Sequence, residues 1–363
     1  MSAYIYGWHG RLNFGDDIFT EVLRWGLKRY ADVDQLVFES DPYRTLGLAT
    51  GTQVVAPNTA VPGLTRLRRW HLRRSQTHFV LGGGSTLRDS KHLAADGGGF
   101  FHHAIQRVGI GISVGPFEDG PAEARVAEFL RRFDYLGFRD TRSFEWAKNK
   151  NLEADAEMVD GFDMAVLAAK VGLIQQRHST RGQVGVSLLS PTQLSKVESV
   201  NDGTTVLSQI SEVLASCYQD KKFLALNLCS NPQFPDQPAT DIFLSKIQAH
   251  QVHTHTHCGN VTETLSAMSG CQTIVSMRLH GCIMALALGI PFVVLAYHQK
   301  CEDFATMIGL DPRLVIPIRE FDRRRLEDAI ALTQSSDCPR NSVPFEKLEA
   351  RALANFEGLK PLS

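Results

Sequence analysis

Short runs of β-forming residues alternate with stretches of helical periodicity along most of the chain. The first repeat consists of AYIYGW, read as a strand, the loop GRLNFG and an amphipathic helix over DIFTEVLRWGLKRYA. The runs THFVLGGG, GIGISVGP and DYLGF continue this series, and QVGVSLLS, KFLALNLC and QTIVSM form a second one. Such alternation is typical of parallel sheets covered by helices, so the sequence predicts an α/β fold.

The length of the chain predicts two domains. Hydrophobic cores stop growing at about 250–300 residues, and this chain has 363. We predict an N-terminal Rossmann-like domain over 1–175 and a C-terminal one over 180–335, because a polar, weakly patterned stretch precedes QVGVSLLS. A final helix within 336–363 could pack back on the N-terminal domain. We expect the active site in a cleft between the domains, where strand carboxyl ends converge.

Composition and charge exclude several classes of protein. The chain is 43% hydrophobic and 21% charged, as in soluble globular proteins, and its net charge of -1 argues against nucleic acid as a partner. The N-terminus has no secretory pattern, and Gly289 and Pro291 interrupt the longest apolar run. Seven cysteines without a C-x-x-C pair suit reduced thiols. We therefore expect a cytoplasmic protein.

The segment from Thr273 to Leu310 has the clearest pattern: strand, helix, strand and basic turn. Arg278 and His280 lie where the first strand gives way to the helix, and Lys300 comes at the end of the second strand, at the same edge of the sheet. A helix N-terminus favours an anion, and the three side chains add positive charge and a proton donor. This arrangement predicts a site for a small, multiply charged anion. The alternative is that Arg278 and Lys300 are solvated and His280 caps the helix.

Four stretches, in order along the chain, resemble the motifs of polysaccharide pyruvyl transferases. The run SMRLHGCIMALALGIPFVVLAYHQK is similar to the C-terminal signature of that family. The other stretches are Asn13, Gly15 and Asp16 in an N-x-G-D pattern, Gly82, Gly83 and Gly84 in a glycine triplet, and FRDTRS, from Phe138 to Ser143, in an R-D-x-x-S pattern. The resemblance spans residues 5 to 310.

The resemblance implies a fold and a reaction. The fold consists of two Rossmann-like domains facing each other across a cleft, as in GT-B glycosyltransferases, without a metal requirement or a bound cofactor. The reaction transfers a pyruvyl group from phosphoenolpyruvate to sugar hydroxyls of a polysaccharide or lipid-linked oligosaccharide. The resemblance assigns donor contacts to Arg139, His280 and Lys300, and Arg278 joins them by its position.

The chemistry of this donor suits those residue types. Phosphoenolpyruvate carries a carboxylate and a phosphate, so fixed cations must hold it. Arg139 can bind an oxyanion through two hydrogen bonds, and Lys300 can act as a point charge. His280 is the candidate catalytic acid, because histidine titrates near working pH and the enol carbon must gain a proton.

Several residues near the N-terminus are candidates for acceptor binding or for a structural loop. Gly83, Gly84 and Ser85 follow a predicted strand, where glycine serves either close approach to a ligand or a tight strand-to-helix turn. Asn13 and Asp16 have the same ambiguity. Asp16 could orient an acceptor hydroxyl, or Asp16 or Asp17 could cap the first helix.

Two further segments allow alternative interpretations. The basic run Arg66–Arg74 is either a solvated helix or loop, or a contact with anionic lipid or the pyrophosphate of a lipid-linked acceptor. His253, His255 and His257 alternate as in some zinc sites, and the alternative is an exposed or loop-bound histidine run. We favour the second interpretation and assign no metal site, because no carboxylate lies nearby in sequence. His102 and His103 lie in a predicted loop that could touch the acceptor.

Two other functions fit the same fold. A GT-B glycosyltransferase would use a nucleotide sugar, although no acidic residue of the C-terminal domain is clearly placed to hold a ribose. A non-catalytic glycan or anion sensor would keep Arg139 and Lys300 but would not need His280 as an acid.

Overall fold

The structure is a computed structural model that describes residues 1–40, 52–55, 76–89, 106–174, 182–248 and 251–360. The chain divides into two compact units. Unit 1 consists of Met1–Arg11, Asp16–Leu167 and Glu346–Ser363, and unit 2 consists of Leu12–Gly15 and Ala168–Phe345.

Unit 1 contains a seven-stranded parallel sheet in the order β3-β2-β1-β4-β5-β6-β7. The strands are β1 (Ser2–His9), β2 (Gln35–Ser40), β3 (Thr52–Val55), β4 (His78–Leu87), β5 (Gln106–Val114), β6 (Tyr135–Phe138) and β7 (Glu157–Asp160). The chain builds outward from β1 in both directions, so the strand order reverses between β1 and β4. Ligands of open α/β sheets bind at the carboxyl ends beside such a reversal.

Unit 2 contains a six-stranded parallel sheet in the order β10-β9-β8-β11-β12-β13. The strands are β8 (Gln183–Ser187), β9 (Lys222–Asn227), β10 (Val252–Thr256), β11 (Cys271–Ser276), β12 (Phe292–Ala296) and β13 (Val315–Pro317). This is the Rossmann order, and its reversal lies between β8 and β11. The predicted α/β class is therefore confirmed for both units.

The helices connect successive strands or follow the last ones. They are α1 (Phe14–Ala31), α2 (Gly120–Leu130), α3 (Thr141–Asn149), α4 (Pro191–Leu194), α5 (Gly203–Cys217), α6 (Gln237–Leu244), α7 (Val261–Ser269), α8 (Leu279–Leu288), α9 (Gln299–Ile308), α10 (Arg323–Gln334) and α11 (Phe345–Ala354). Within the described ranges, no helix combines the length and apolar character needed to cross a membrane.

Short polar side chains and glycines set the helix boundaries. Asp119, Asp202 and Asp322 lie before α2, α5 and α10, and each accepts hydrogen bonds from the backbone N–H groups of the first turn. Gly289 and Gly309 end α8 and α9 in the left-handed conformation, at φ 62° in both cases. These signals are local, which is why the sequence indicates the helices well.

The two units differ from the predicted domain boundaries. Leu12–Gly15 groups with unit 2 because Phe14 N donates to Leu228 O and Ser230 N donates to Leu12 O, each at 2.9 Å. Unit 2 begins at Ala168 and ends at Phe345, whereas the sequence predicted a domain over 180–335. Residues before α11 stay with unit 2 because Ser342 N donates to Gly309 O at 3.0 Å.

The C-terminal segment, predicted as a helix that could return to the N-terminal domain, forms part of unit 1. The Tyr135 hydroxyl donates to Ala354 O at 2.6 Å, and Gln106 Nε2 donates to Gly358 O at 2.8 Å. The Phe356 ring stacks on Tyr30 with centroids 5.7 Å apart. The last residues of the chain therefore help to complete the core of the first unit.

A buried histidine occupies the end of β1 in unit 1. His9 is 2% exposed, its Nδ1 lies 3.0 Å from the Thr20 hydroxyl, and its ring meets Phe38 edge to face at 5.2 Å. Burial lowers the pKa of His9 to about 4, because charging the ring would require removing an ion from water, and Arg11 adds repulsion. The imidazole is therefore neutral at neutral pH.

The low pKa of His9 predicts a loss of stability in mild acid. The unfolded chain binds a proton at this histidine near pH 6.5, whereas the folded protein does so only near pH 4, so folding becomes less favourable as the pH falls between those values. We expect His9 to lower the free energy of unfolding by about 2 kcal/mol between pH 7 and pH 5. Urea unfolding at pH 7 and pH 5 measures this difference in the free energy of unfolding. The difference should be smaller in His9→Gln than in the wild type, and it should be unchanged in His253→Gln, because His253 is exposed.

Candidate active site

The loops that follow β8, β9 and β11 meet at one edge of the unit 2 sheet. Because the strands are parallel, their carboxyl ends lie side by side, and the strand order reverses between β8 and β11. Arg278 and His280 follow β11, while Gln193 lies in α4 after β8. The predicted cationic residues therefore stand where a Rossmann-type sheet binds its ligands.

Arg278 is held by a buried carboxylate that the sequence interpretation missed. Arg278 Nε donates to both oxygens of Asp236 at 3.1 and 3.2 Å, a second hydrogen bond joins Nη2 to Asp236, and Nη2 also lies 3.3 Å from Gln193 Oε1. Burial alone would lower the pKa of Arg278, but attraction to Asp236 outweighs it, so the pKa rises. The side chains of Arg278 and Asp236 are 14% and 1% exposed, respectively.

Asp236 also stabilises the loop between β9 and α6 through hydrogen bonds with Cys229. Its carboxylate accepts a hydrogen bond from Cys229 N at 2.9 Å, and Asp236 N donates to Cys229 O at 2.9 Å. Asp236 lies at the start of α6 in the stretch NPQFPDQP, where an aspartate between prolines is a local signal for a helix start. That signal predicts a structural aspartate but not its partner, which is 42 residues away.

Asn13, Phe14 and Gly15 of the N-x-G-D segment lie in the same unit as His280, whereas Asp16 belongs to unit 1. Asn13 forms an isolated antiparallel bridge with Cys229, and its side-chain oxygen accepts a hydrogen bond from Gly15 N at 3.3 Å. The Phe14 ring meets His257 edge to face at 5.3 Å. Asn13 therefore stands just before α1, whereas the predicted caps Asp16 and Asp17 lie in the first turn of the helix. That expected capping role was wrong, because α1 begins earlier than predicted.

Gly15 and His280 pack directly against each other. A methyl group at position 15 would overlap the imidazole ring of His280, so only glycine leaves room for that ring in its present place. Gly281 plays a similar role, because a Cβ there would collide with the Ser276 hydroxyl at the end of β11. Gly15 thus makes room for the candidate acid itself, and Gly281 makes room for the end of the strand that precedes it.

Lys300 belongs to the first turn of α9 and not to the end of β12. Three residues separate it from Ala296, the last residue of that strand. Its backbone N–H donates to His298 Nδ1 at 3.2 Å, and its ammonium lies 5.5 Å from the centroid of the Tyr297 ring. The lysine is half-buried. The predicted position of Lys300 at the end of the strand was wrong, because a tight turn and a helix cap intervene.

The histidine run forms hydrogen bonds with one threonine. His255 Nε2 and His257 Nδ1 each lie 2.9 Å from the Thr264 hydroxyl. Burial lowers the pKa of His255, and His257 is fully buried. In the part of the chain that the structure describes, no group of three or more histidine, cysteine, aspartate or glutamate side chains could hold a metal ion.

In unit 1, the R-D-x-x-S motif links the ends of neighbouring strands. Arg139 Nη1 lies 3.5 Å from Asp163 Oδ2, with both side chains 6% exposed. Asp140 caps α3 by accepting from Ser143 N at 2.8 Å, and Ser143 Oγ accepts from Val114 N at 3.0 Å. The motif therefore buries a charged pair and joins β6 to the end of β5. Its aspartate and serine have structural roles that the sequence alone did not reveal.

The glycine triplet lies inside β4 and not in a loop after it. Gly82 and Gly84 pair with Ile110 and Ile112 of β5. A Cβ on Gly82 would approach Leu23 to 2.8 Å, and one on Gly83 would approach Phe19 to 3.1 Å. Close packing of β4 on α1 therefore favours glycine at positions 82 and 83, and Gly84 has a φ of 102°, so the predicted loop is wrong.

Some predicted candidates cannot be compared with the structure. The side chain of Ser85 and the whole of Arg66–Arg74, His102 and His103 lie outside the described residues. Asp16, which is described, is 8% exposed, and its carbonyl oxygen accepts from the Thr20 hydroxyl at 3.0 Å.

Comparison with known families decides the assignment. Residues 13–299 match the family model described as polysaccharide pyruvyl transferase. The chain belongs to the polysaccharide pyruvyl transferase family. The match runs from Asn13 to Gln299 and so includes the N-x-G-D, glycine-triplet, R-D-x-x-S and R-L-H motifs. No curated protein sequence matches this family member.

Solved structures similar to this family member share its fold. UDP-GlcNAc 2-epimerase from Methanocaldococcus jannaschii has a TM-score of 0.62 and 12% identity, over 96% of this chain and 98% of that one. The enzyme from Neisseria meningitidis, bound to UDP-GlcNAc, has a TM-score of 0.57 and 14% identity, over 97% and 93%. A putative epimerase from Listeria monocytogenes has a TM-score of 0.64 and 10% identity, over 97% and 94%. The predicted two-domain α/β architecture of the GT-B type is confirmed.

The packing of Gly15 on His280 predicts a steric coupling between two motifs of this family. We expect Gly15→Ala to lower the free energy of unfolding by about 1–3 kcal/mol, because the added methyl group overpacks the site. Adding His280→Ala should recover most of that loss by removing the ring. Thermal or urea unfolding of the single and double variants tests this, with Gly182→Ala as control, since a Cβ there meets no atom within 4 Å. If Gly15→Ala lowered the free energy of unfolding by the same amount in the wild type and in His280→Ala, the contact between the two residues would be contradicted.

The Arg278–Asp236 pair predicts a larger effect. Asp236→Asn removes the carboxylate that compensates a nearly buried guanidinium, so we expect the free energy of unfolding to fall by about 3–5 kcal/mol. Asp311→Asn removes a carboxylate from a pair whose arginine is exposed, and should change stability little. Urea titrations of both variants measure the difference. Similar stabilities for the two variants would show that the buried pair is unimportant.

Proposed function

We propose that this protein transfers a pyruvyl group from phosphoenolpyruvate to hydroxyls of a glycan, forming a pyruvate ketal and releasing phosphate. The observation that carries the proposal is the placement of His280 in the first turn of α8, two residues after Arg278 and at the strand edge that also leads to Lys300. Membership of the family supports the same reaction.

The donor site of this proposal lies at the N-terminus of α8. In the described part of the chain, no side chain caps this helix, so its first N–H groups and its dipole favour an anion. Lys300 supplies a positive charge, and Arg278 supplies further N–H donors on a guanidinium already fixed by Asp236. We assign to Arg139, in unit 1, the donor contact that the family resemblance implies.

His280 acts as the catalytic acid in the proposed reaction. It gives a proton to C3 of phosphoenolpyruvate, which becomes a methyl group, and C2 becomes electrophilic. A sugar hydroxyl adds to C2 and gives its proton to the imidazole of His280, which is neutral after the first transfer. The bond from C2 to the phosphate oxygen then breaks, a second hydroxyl closes the ketal, and its proton leaves with the phosphate. Arg278 and Lys300 stabilise the charge of the departing phosphate.

The acceptor and cofactor assignments are part of the proposal. We infer a polysaccharide or lipid-linked oligosaccharide as acceptor, no nucleic-acid partner, and no metal or cofactor besides the donor substrate. Asn13 in unit 2, and Asp16, Gly83 and Gly84 in unit 1, are the proposed acceptor contacts whose side chains or backbone the structure describes. A cytoplasmic location, with contact to anionic membrane through Arg66–Arg74, is likewise proposed.

The reaction is tested by incubating the purified protein with phosphoenolpyruvate and a panel of glycan acceptors in the presence of EDTA. Phosphate release that depends on one acceptor, together with a pyruvate ketal on that acceptor, supports the proposal. Turnover of a nucleotide sugar in its place would favour a glycosyltransferase. Donor binding without turnover across the panel would favour an anion or glycan sensor.

The role of His280 gives a sharper test. We expect His280→Gln to lower kcat by about a hundredfold or more, because glutamine can form hydrogen bonds but cannot deliver a proton. Donor binding, measured by the rise in melting temperature with phosphoenolpyruvate, should fall much less. His253→Gln, at an exposed position of the same unit, serves as control. Near wild-type kcat in His280→Gln would assign the proton to another group.

A further inference from the structure

Arg278 and Lys300, which follow the neighbouring parallel strands β11 and β12, are held in chemically different ways. Arg278 pairs with the carboxylate of Asp236, so the net charge of that pair is close to zero. Lys300 lies over the Tyr297 ring, and none of the described residues forms an ion pair with it. An aromatic ring attracts a cation through its quadrupole and carries no formal charge. Lys300 therefore keeps its full positive charge while its position is restricted.

Both ends of Lys300 are fixed by the two residues that precede its helix. Its backbone N–H donates to the Nδ1 atom of His298, which caps α9. Its ammonium lies 5.5 Å from the Tyr297 ring centroid, within the range of about 6 Å for a cation–π contact. A lysine side chain has four rotatable bonds, so without such a contact its ammonium would sample many positions.

Tyr297 lies at the carboxyl edge of the sheet. It follows β12 directly, its ring is half-buried, and the His298 ring lies beside it with centroids 6.1 Å apart. Tyr297 therefore stands next to Lys300 at the edge where parallel strands bind ligands.

We propose that Tyr297 is a positioning residue that holds the Lys300 ammonium in place for the anionic donor without neutralising it. The inference rests on the proposed function, because it assigns Lys300 to donor binding. A carboxylate in the place of Tyr297 would fix the ammonium equally well but would compete with the donor for its charge. An aromatic ring orders the lysine and leaves the charge for the phosphate or carboxylate of the substrate.

Kinetics with substituted rings test this role. Tyr297→Leu removes the π face and should raise KM for phosphoenolpyruvate about fivefold with a smaller change in kcat. Tyr297→Phe keeps the face and should behave like the wild type. In a double-mutant cycle, adding Tyr297→Leu to Lys300→Gln should raise KM no further. Lys148→Gln is the matched control, because that exposed lysine also lies 5.5 Å from an aromatic ring, that of Phe144.

A spectroscopic measurement tests the contact without any substrate. In protein labelled with ¹³C at the lysine ε-carbons, the Lys300 signal is identified by its absence in Lys300→Gln. Its ε-protons should be shifted upfield by the aromatic ring in the wild type and in Tyr297→Phe, and should return to the ordinary position in Tyr297→Leu. This readout reports the position of the ammonium and not the stability of the fold.

The outcomes separate the inference from the proposed function. Absence of phosphate release by the wild type with every acceptor would overturn the proposed function and the donor role of Lys300 with it. An active wild type whose KM is unchanged in Tyr297→Leu would overturn the positioning role alone. A Lys300 signal that does not respond to Tyr297→Leu would overturn the cation–π contact itself. A KM that is raised in Tyr297→Leu but not in Tyr297→Phe, together with the expected upfield shift of the Lys300 ε-protons, establishes the inference.

Discussion

The buried pair of Arg278 and Asp236 is the interaction on which the edge of the unit 2 sheet depends. It joins the start of α8, after β11, to the loop after β9, and Gln193 brings in the loop after β8. Three connections that parallel strands bring to one edge are thereby fixed relative to each other. Removing a charged pair from water is costly, so such a pair persists only where its geometry and its additional hydrogen bonds are good. The pair therefore fixes the relative positions of the three connections that carry the candidate site.

Rigid packing around His280 follows from that arrangement. The Asn13–Gly15 segment is tied to the loop after β9 through Cys229 and Leu228, and Gly15 then lies against the imidazole. The catalytic acid proposed here is thus positioned by glycine on one side and by the helix on the other. Because a side chain at position 15 would overlap the His280 ring, the N-x-G-D and R-L-H motifs belong to one site although they are far apart in sequence. The N-x-G-D motif contributes backbone hydrogen bonds and, at Gly15, the space that a side chain would otherwise fill, in addition to its polar groups.

The two cations of the site, Arg278 and Lys300, are held in position in different ways. A guanidinium has five N–H donors, so Asp236 can hold Arg278 while other donors remain for a ligand. An ammonium is a compact charge on a flexible side chain, and a carboxylate partner would neutralise that charge. Tyr297 orders Lys300 by its π face, which leaves the charge intact. The R-D-x-x-S motif of unit 1 again pairs its arginine with a buried aspartate, Asp163.

The sequence by itself determined the α/β class, most of the helices and strands, and the positions of Arg278 and His280 beyond a strand end. These features follow from local periodicity, caps and the rule that parallel strands gather their carboxyl ends. The glycine triplet was misread as a loop, because only the packing of β4 on α1 explains why Gly82 and Gly83 lack side chains. Asp236, Asp163 and the contact of Gly15 with His280 escaped prediction for the same reason. Partners 42 or 265 residues apart are brought together only by the folded chain, so the tertiary structure alone decided which charges are paired and which remain for a ligand.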